Sequence, residues 1–323
     1  MSITSSLIFF ACLTGTISQV AAQSDDWPTG PVRIVVGYPP GGPNDLIARA
    51  IGQRLNSMLK QPVIIENRPG ASGTIGSEYV ARAMPDGYAL MLNATTHSMV
   101  NALYDKLSFD ADKDFTPITQ VGKSSLVLVV NPELPVHSVG DLIALVRASP
   151  GRYAFASTGN GSSPHLAGEM FKQTTALDLI HVPYKGSAPA IVDLIGGQVQ
   201  IMFEVMPSAA PHIKSGKLRA IAVSTSTRNA QMPELPTIGD SGLPGYEVTV
   251  WWGIFGPAKM PASLSEKISK SVNGTLADGE IRERFGKLGI EPVGTTPQAF
   301  QAMLQNDIRR YAKIIKDGNI HAN

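Results

Sequence analysis

Cys12 is the single cysteine in a chain of 323 residues. That excludes a disulfide framework and a cysteine-built zinc site. Charge is scarce too. Lys, Arg, Asp and Glu make up 16% of the residues, and 27 basic against 26 acidic side chains leave a formal charge of +1. So balanced a chain builds no field for nucleic acid or anionic lipid. With 43% hydrophobic residues it is not a disordered chain either, which would need high charge and little apolar surface. Past Ala22 no apolar run is long enough to span a bilayer.

Reaction motifs are missing as well. The dinucleotide fingerprint G-x-G-x-x-G is absent, and no Lys follows the glycines of residues 159–161 as a Walker A loop requires. No G-x-S-x-G nucleophile elbow occurs. Ser57-Met58-Leu59-Lys60 matches S-x-x-K, but it lies in an amphipathic helical pattern without the companion K-T-G and S-D-N. His165 and Glu169 stand one helical turn apart, with no further His, Asp or Glu nearby to complete a metal site. The reading is therefore of a non-enzyme, with no catalytic residue, no metal and no cofactor.

What is present begins with an address. Residues 7–22 are apolar or small, and Val20-Ala21-Ala22 suits a signal peptidase. We expect residues 1–22 to be a cleaved secretory signal, although Met1 to Ser6 lacks the usual Lys or Arg, and an uncleaved anchor is the alternative. Cleavage removes Cys12 and leaves a thiol-free chain suited to an oxidising compartment. The periplasm is the expected location, with no membrane insertion of the mature chain.

Gly 31 and Pro 24 imply many tight turns. Strand-like runs cover residues 32–37, 63–66, 88–93, 126–131, 153–157, 179–182, 199–203, 218–224 and 248–255. Helical patterns cover 45–60, 138–149, 164–174, 188–195, 207–215, 263–278, 279–288 and 297–316, with capping boxes expected at Ser138/Asp141 and Ser263/Glu266. The alternation predicts α/β sheets, mostly parallel. That many strands exceed one compact sheet, so two lobes are expected, joined by strands at 126–131 and 248–255. Residues 23–124 plus 245–323 form lobe 1, and 125–244 lobe 2.

Ligands of open α/β sheets sit beyond strand C-termini, where helix starts present free N–H groups. Five such segments stand out. Tyr38, Pro40, Gly41, Gly42 and Asp45 follow the first strand, with Asp45 able to cap the next helix; the bland alternative is a tight turn. Thr95 and Thr96 follow residues 88–93, either as donors to a carboxylate or as an ordinary cap. Ser157, Thr158, Gly161 and Ser162 make a glycine and hydroxyl cradle suited to a carboxylate, or a plain turn. Tyr184 and Gly186 flank Lys185, which reads best as a solvated lysine. Glu204 leaves a buried strand either to meet a ligand amino or hydroxyl group or to brace the lobes.

Taken in order, these segments resemble the Bug family, the extracytoplasmic solute receptors of tripartite tricarboxylate transporters. The likeness rests on Tyr38-Pro39-Pro40-Gly41-Gly42 with Asp45, Glu66-Asn67-Arg68-Pro69-Gly70-Ala71-Ser72-Gly73-Thr74-Ile75-Gly76 and Pro85-Asp86-Gly87-Tyr88. It continues through Ser157 to Ser162 with His165-Leu166, His181-Val182-Pro183-Tyr184-Lys185-Gly186, Gly216-Lys217-Leu218-Arg219-Ala220 and Trp251-Trp252-Gly253. The resemblance implies a two-lobed periplasmic-binding-protein fold, a Venus flytrap of type II-like form with two crossing strands. It implies a monomer that captures a small organic carboxylate and hands it to membrane transporter subunits. Lobe 1 contacts would come from Pro40, Gly41 and Gly42, with Thr95 and Thr96; lobe 2 contacts from Ser157, Thr158, Gly161 and Ser162, with Tyr184 and Gly186 nearby. Glu204 stands where many relatives carry Asp. A periplasmic sensory receptor, or an enzyme on the same scaffold, are the alternatives.

Overall fold

The computed structural model describes residues 26–321; the expected leader, residues 1–22, lies outside them. In chain order the elements are β1 (Val32–Val36), α1 (Pro43–Leu59), β2 (Val63–Asn67), α2 (Thr74–Ala81), β3 (Ala89–Ala94), α3 (Val100–Leu103) and β4 (Phe115–Val130). Then come α4 (Val139–Arg147), β5 (Ala154–Ser157), α5 (Ser163–Thr175), β6 (Ile180–Pro183), α6 (Ser187–Ile195), β7 (Ile201–Val205), α7 (Met206–Lys214) and β8 (Arg219–Val223). The chain closes with β9 (Thr249–Pro257), α8 (Ala262–Leu276), α9 (Gly279–Lys287), β10 (Glu291–Pro292) and α10 (Pro297–Asp317).

The strands form one ten-stranded sheet: eight follow the path β2-β1-β3-β9-β4-β7-β5-β6, and β8 and β10 pair with β4 beside it. Its two wings are the lobes. In the first, β1 pairs parallel with β2 and β3, and β9 runs antiparallel between β3 and β4. In the second, β5 pairs parallel with β6 and β7, and β7 and β8 run antiparallel to β4. The chain passes between wings within β4: Ser125 pairs with Thr249 of β9, whereas Leu126 pairs with Val205 of β7. A second junction closes beside it, where the Val248 amide donates to the Ser224 carbonyl over 2.8 Å.

Residues 126–131 are thus only the far half of the crossing strand. Its first half, Phe115 to Ser125, reads poorly as a strand because Pro117, Gly122 and the polar Thr119, Gln120, Ser124 and Ser125 break the pattern, and the register shifts twice against β9. The expected capping box at Ser138 is present, its hydroxyl accepting from the Asp141 amide at 3.0 Å. The one at Ser263 is not: α8 starts at Ala262 with Pro261 at its cap, so Ser263 lies inside the helix. Asp45 does not occupy the cap either; Gly42 does, with Pro43 in the first turn.

Helices cover both faces of each wing, which is why β1 and β7 are apolar on consecutive residues. Leu55 of α1 and Ile268 and Val272 of α8 join a core with Ile34, Leu92 and Trp252. Val80 of α2 and Phe300 and Leu304 of α10 pack the opposite face around Trp251 and Phe255. In the second wing Phe203 faces Phe171 of α5, while Met202 joins Ala190 and Ile191 of α6 and Ala209 of α7. A fully buried side chain of this kind contributes about 1.5–3 kcal/mol. At one side the lobes touch, as Met99 and Leu103 meet Leu166 of α5 and Tyr311 and Ile315 of α10.

Candidate functional site

The C-terminal ends of β1 and β3 in one wing, and of β5, β6 and β7 in the other, turn toward the crossing. On the lobe 1 side, Gly37 lies so close to Gly73 that an added Cβ would sit 2.7 Å from its backbone. Tyr38 folds back and shares a hydrogen bond with the Thr96 hydroxyl at 2.8 Å while donating to the Ser72 carbonyl at 3.2 Å. Burial raises its phenol pKa, against the opposing Thr96 contact. It thus ties the first loop to residues 70–73, where Ala71 and Ser72 hold φ of 45° and 53°. Two non-glycine residues in the left-handed region store strain of about 1–3 kcal/mol each, a feature that concentrates at functional rims.

Pro40 and Gly41 are exposed, and a Cβ on Gly41 (φ 87°) would meet nothing within 4 Å. The Gly41 amide donates to Asp45 Oδ2 at 3.0 Å, which also receives Arg49 Nε at 2.8 Å; Asp45 Oδ1 accepts from Asn67 Nδ2 at 2.9 Å. Burial works to raise the Asp45 carboxyl, but these hydrogen bonds outweigh it and hold the pKa below the usual carboxylate range. Asp45 is therefore a clamp on the glycine loop, with its acceptors occupied.

Thr95 is fully buried, its hydroxyl accepting the Trp251 amide at 2.8 Å, so it joins β3 to β9. The Thr96 hydroxyl is committed to Tyr38. Neighbouring Asn44 drew no attention in the sequence. Its Oδ1 accepts from Trp252 Nε1 at 2.8 Å, while its buried Nδ2 has no partner. An Asn in the first turn of a helix opened by two glycines was the available signal.

The lobe 2 cradle is internally braced. Ser157, fully buried, hydrogen-bonds His181 Nε2 at 2.7 Å and accepts from the Gly159 amide at 3.2 Å. Ser162 caps α5, accepting from the His165 amide at 3.3 Å and donating to the Gly159 carbonyl at 2.7 Å. The Gly161 amide (φ 71°) donates to His165 Nδ1 at 3.1 Å. That nitrogen therefore carries no proton. His165 is a neutral side chain aimed into the cradle's own backbone, and Glu169 instead pairs with Lys172 Nζ at 3.0 Å. Among the described residues no three His, Cys, Asp or Glu gather as a metal site.

Tyr184 donates its hydroxyl to Asp193 Oδ2 at 2.8 Å; burial, then that carboxylate, raises its pKa to about 12. Lys185 is exposed. A Cβ on Gly186, the cap of α6, would meet open space. Glu204, fully buried on β7, accepts at Oε1 from the Ser187 hydroxyl at 3.0 Å and the Val205 amide at 2.8 Å. Its Oε2 is unpartnered, and burial pushes the carboxyl up to about 7.

The arrangement divides the candidates. The hydroxyls of Tyr38, Thr96, Ser157, Ser162 and Tyr184 are spent on holding loops in place, as is that of Thr95. Donors on these loops without a partner include Gly42 N–H and Asn44 Nδ2 in lobe 1, and Thr158, Gly186 and Ser187 N–H in lobe 2, beside the Thr158 hydroxyl. Neutral N–H donors on opposed loops suit an anion whose charge they solvate without neutralising it. A separate hollow of about 320 Å³ at the crossing offers less. Its groups pair among themselves, Lys123 with Glu291 at 3.3 Å, Asn229 with Ser125 at 2.9 Å and Ser226 with Glu247 at 3.2 Å.

A family model described as a tripartite tricarboxylate transporter family receptor matches residues 47–320. The periplasmic binding protein BugD is similar in structure, with a TM-score of 0.81 and 33% identity over 91% of this chain and 99% of that one. Rpa4515 of R. palustris, solved with adipate, gives 0.84 and 35% over 92% and 99%. MatC of Rhodopseudomonas palustris, solved with malate, gives 0.79 and 30% over 90% and 100%.

Proposed function

We propose, since this chain belongs to the tripartite tricarboxylate transporter receptor family, that its solute is a small organic carboxylate held between the lobes. The reading is supported by uncommitted donors on loops whose strands end at the crossing from either side, Gly42 and Asn44 in lobe 1 and Thr158, Gly186 and Ser187 in lobe 2, with no arginine cluster among them. A carboxylate entering this gap exchanges water for charge-assisted hydrogen bonds, completed by bridging waters. That is an arrangement for capture and release, with no nucleophile or base poised for turnover. The adipate and malate bound by the two solved relatives support the class.

Contacts made only when the lobes close draw an open–closed equilibrium toward closure. We place the lobe boundary at Ser125/Leu126 and Ser224/Val248, supported by the change of strand partner there. This keeps lobe 1 as 23–124 plus 245–323 and lobe 2 as 125–244 within a few residues. The closed monomer then docks on the membrane subunits from the periplasm, after removal of residues 1–22. No helix among the described residues is long and apolar enough to cross a membrane.

Calorimetry with adipate, malate, succinate, glutamate, citrate and benzoate, against neutral sugars and amides, tests the reading. Heat from at least one acid and none from the neutral solutes is expected. A neutral solute that binds while every acid fails overturns it.

A further inference from the structure

The carboxyl of Glu204 is unlike every other acid near the cleft. Asp45 has both oxygens filled, and Asp193 receives a phenol. Glu204 has one oxygen doubly filled and the other bare, in a side chain with no solvent exposure. Buried polar oxygens are rarely left so. The bare oxygen belongs to the last turn of chain before β7 gives way to α7, and its partner Ser187 opens α6. The amides of Gly186 and Ser187 are uncommitted there, and the space beside Gly186 is open. An orphan acid oxygen thus lies beneath the loop that carries these unused donors, tied to it through the Ser187 hydroxyl.

We infer that Glu204 is the specificity-determining residue of this cleft, meeting the bound acid as a protonated carboxyl, so that capture of a ligand carboxylate takes up a proton. This rests on the carboxylate reading above. An ionised Oε2 in a dry site would repel an arriving carboxylate, whereas Oε2–H donates to it and satisfies both. The proton is within reach near neutral pH, because burial already lifts the carboxyl to about 7.

The groups facing Glu204 leave it as the titrating centre. They are Val127 across the strand pair, Ser187 on α6 and Met206 at the start of α7, none of them ionisable. No charged neighbour contributes to its shift. His165 and His181 stack beside Phe155 on the α5 face of the sheet, opposite Glu204, and with pKa values of about 3 and 4 stay neutral at physiological pH. Tyr184, at about 12, keeps its proton, and Lys185 points to solvent-exposed surface.

Linkage fixes the sign. Above the free pKa the site must recruit its proton on binding, so the dissociation constant rises up to tenfold per pH unit and proton uptake approaches one per ligand. If Oε2 instead took an ammonium or hydroxyl from the ligand, the ionised form would bind and affinity would strengthen as pH rises.

The test is titration calorimetry from pH 6 to 9 in paired buffers of different ionisation enthalpy. The probe is the tightest binder of the six-acid panel, on wild type and Glu204→Gln. Affinity falling above pH 7 with proton uptake is expected for wild type. A flat profile, with affinity at pH 8.5 at least equal to wild type, is expected for the Gln variant, whose amide mimics the protonated acid. A wild-type affinity that is level or rises with pH overturns the inference, as does a Gln variant that keeps the slope. These results leave the carboxylate reading standing; failure of the whole panel to bind removes both.

Discussion

His165 and His181 stack face to face, their ring centroids 3.8 Å apart and their planes 8° from parallel. Two cations could not share that spacing. Burial depresses His165 to about 3, helped by His181 and Lys172, and His181 to about 4, helped by Lys172. Burial alone takes His97 to about 4, against a hydrogen bond to the Ala111 carbonyl.

These three rings predict acid lability. The unfolded chain binds protons below pH 6.5, the ordinary histidine value, and the folded chain does not until about 4 or lower. Their contribution is complete above pH 6.5 and is lost as pH falls through the folded values, with the partly exposed His181 contributing least. Glu204 opposes them. Its pKa is raised from 4.5 to about 7, so its contribution is present below 4.5 and lost as pH rises to 7. Three groups outweigh one, and the urea midpoint should climb between pH 5 and 6.5. A midpoint that is level or falls over that range counts against neutral buried rings.

Gly161 of the cradle lies against Leu103 of the other lobe. A Cβ there would lie 2.7 Å from Leu103 Cδ1, on a backbone of φ 71°. Gly161→Val should weaken ligand binding tenfold or more by holding the lobes apart and twisting the cradle. Unfolding should stay cooperative, with stability lowered by about 1–3 kcal/mol. Calorimetry paired with thermal unfolding reads both, and unchanged affinity removes this loop from the site.

Asp45 should matter to binding without touching ligand. Asp45→Ala removes the acceptor shared by the Gly41 amide, the Asn67 amide and the Arg49 guanidinium, so the exposed glycine turn loses the tie to its helix. With the Pro40–Gly42 turn released, affinity should drop about tenfold. Unaltered affinity in a destabilised variant would show that the turn is rigid without its clamp.

Trp252 gives an optical report. Its indole N–H is bonded to Asn44, whose other amide group faces no partner. Ligand capture by Asn44 should shift intrinsic fluorescence, and Trp252→Phe should remove most of that change while Trp27 and Trp251 still emit. A full signal in the variant would place the reporter elsewhere.

Much of the fold was legible because fully covered strands such as β1 and β7 are apolar on consecutive residues, and because Ser138, Ser162 and Pro297 mark helix starts. The half of β4 from Phe115 to Ser125 was not, since its polar side chains are satisfied by distant partners. Thr119 bonds Asn273 at 2.8 Å, and Ser124 bonds the Gly289 carbonyl at 2.7 Å. Helix α2 hid among Gly70, Gly73 and Gly76 for the opposite reason, too many breakers in its first turns. At the site, residue types were readable and availability was not. Thr95 looks like a free donor in a string of letters, yet Trp251, far along the chain, claims it.

The placement of β9 between β3 and β4 carries a cost while the chain is being made. Synthesis from the N-terminus delivers β3 and β4 long before Thr249 is made. Until then both present bare strand edges to any passing polypeptide, the condition under which nascent proteins clump. Truncated forms ending before β9 should therefore be aggregation-prone.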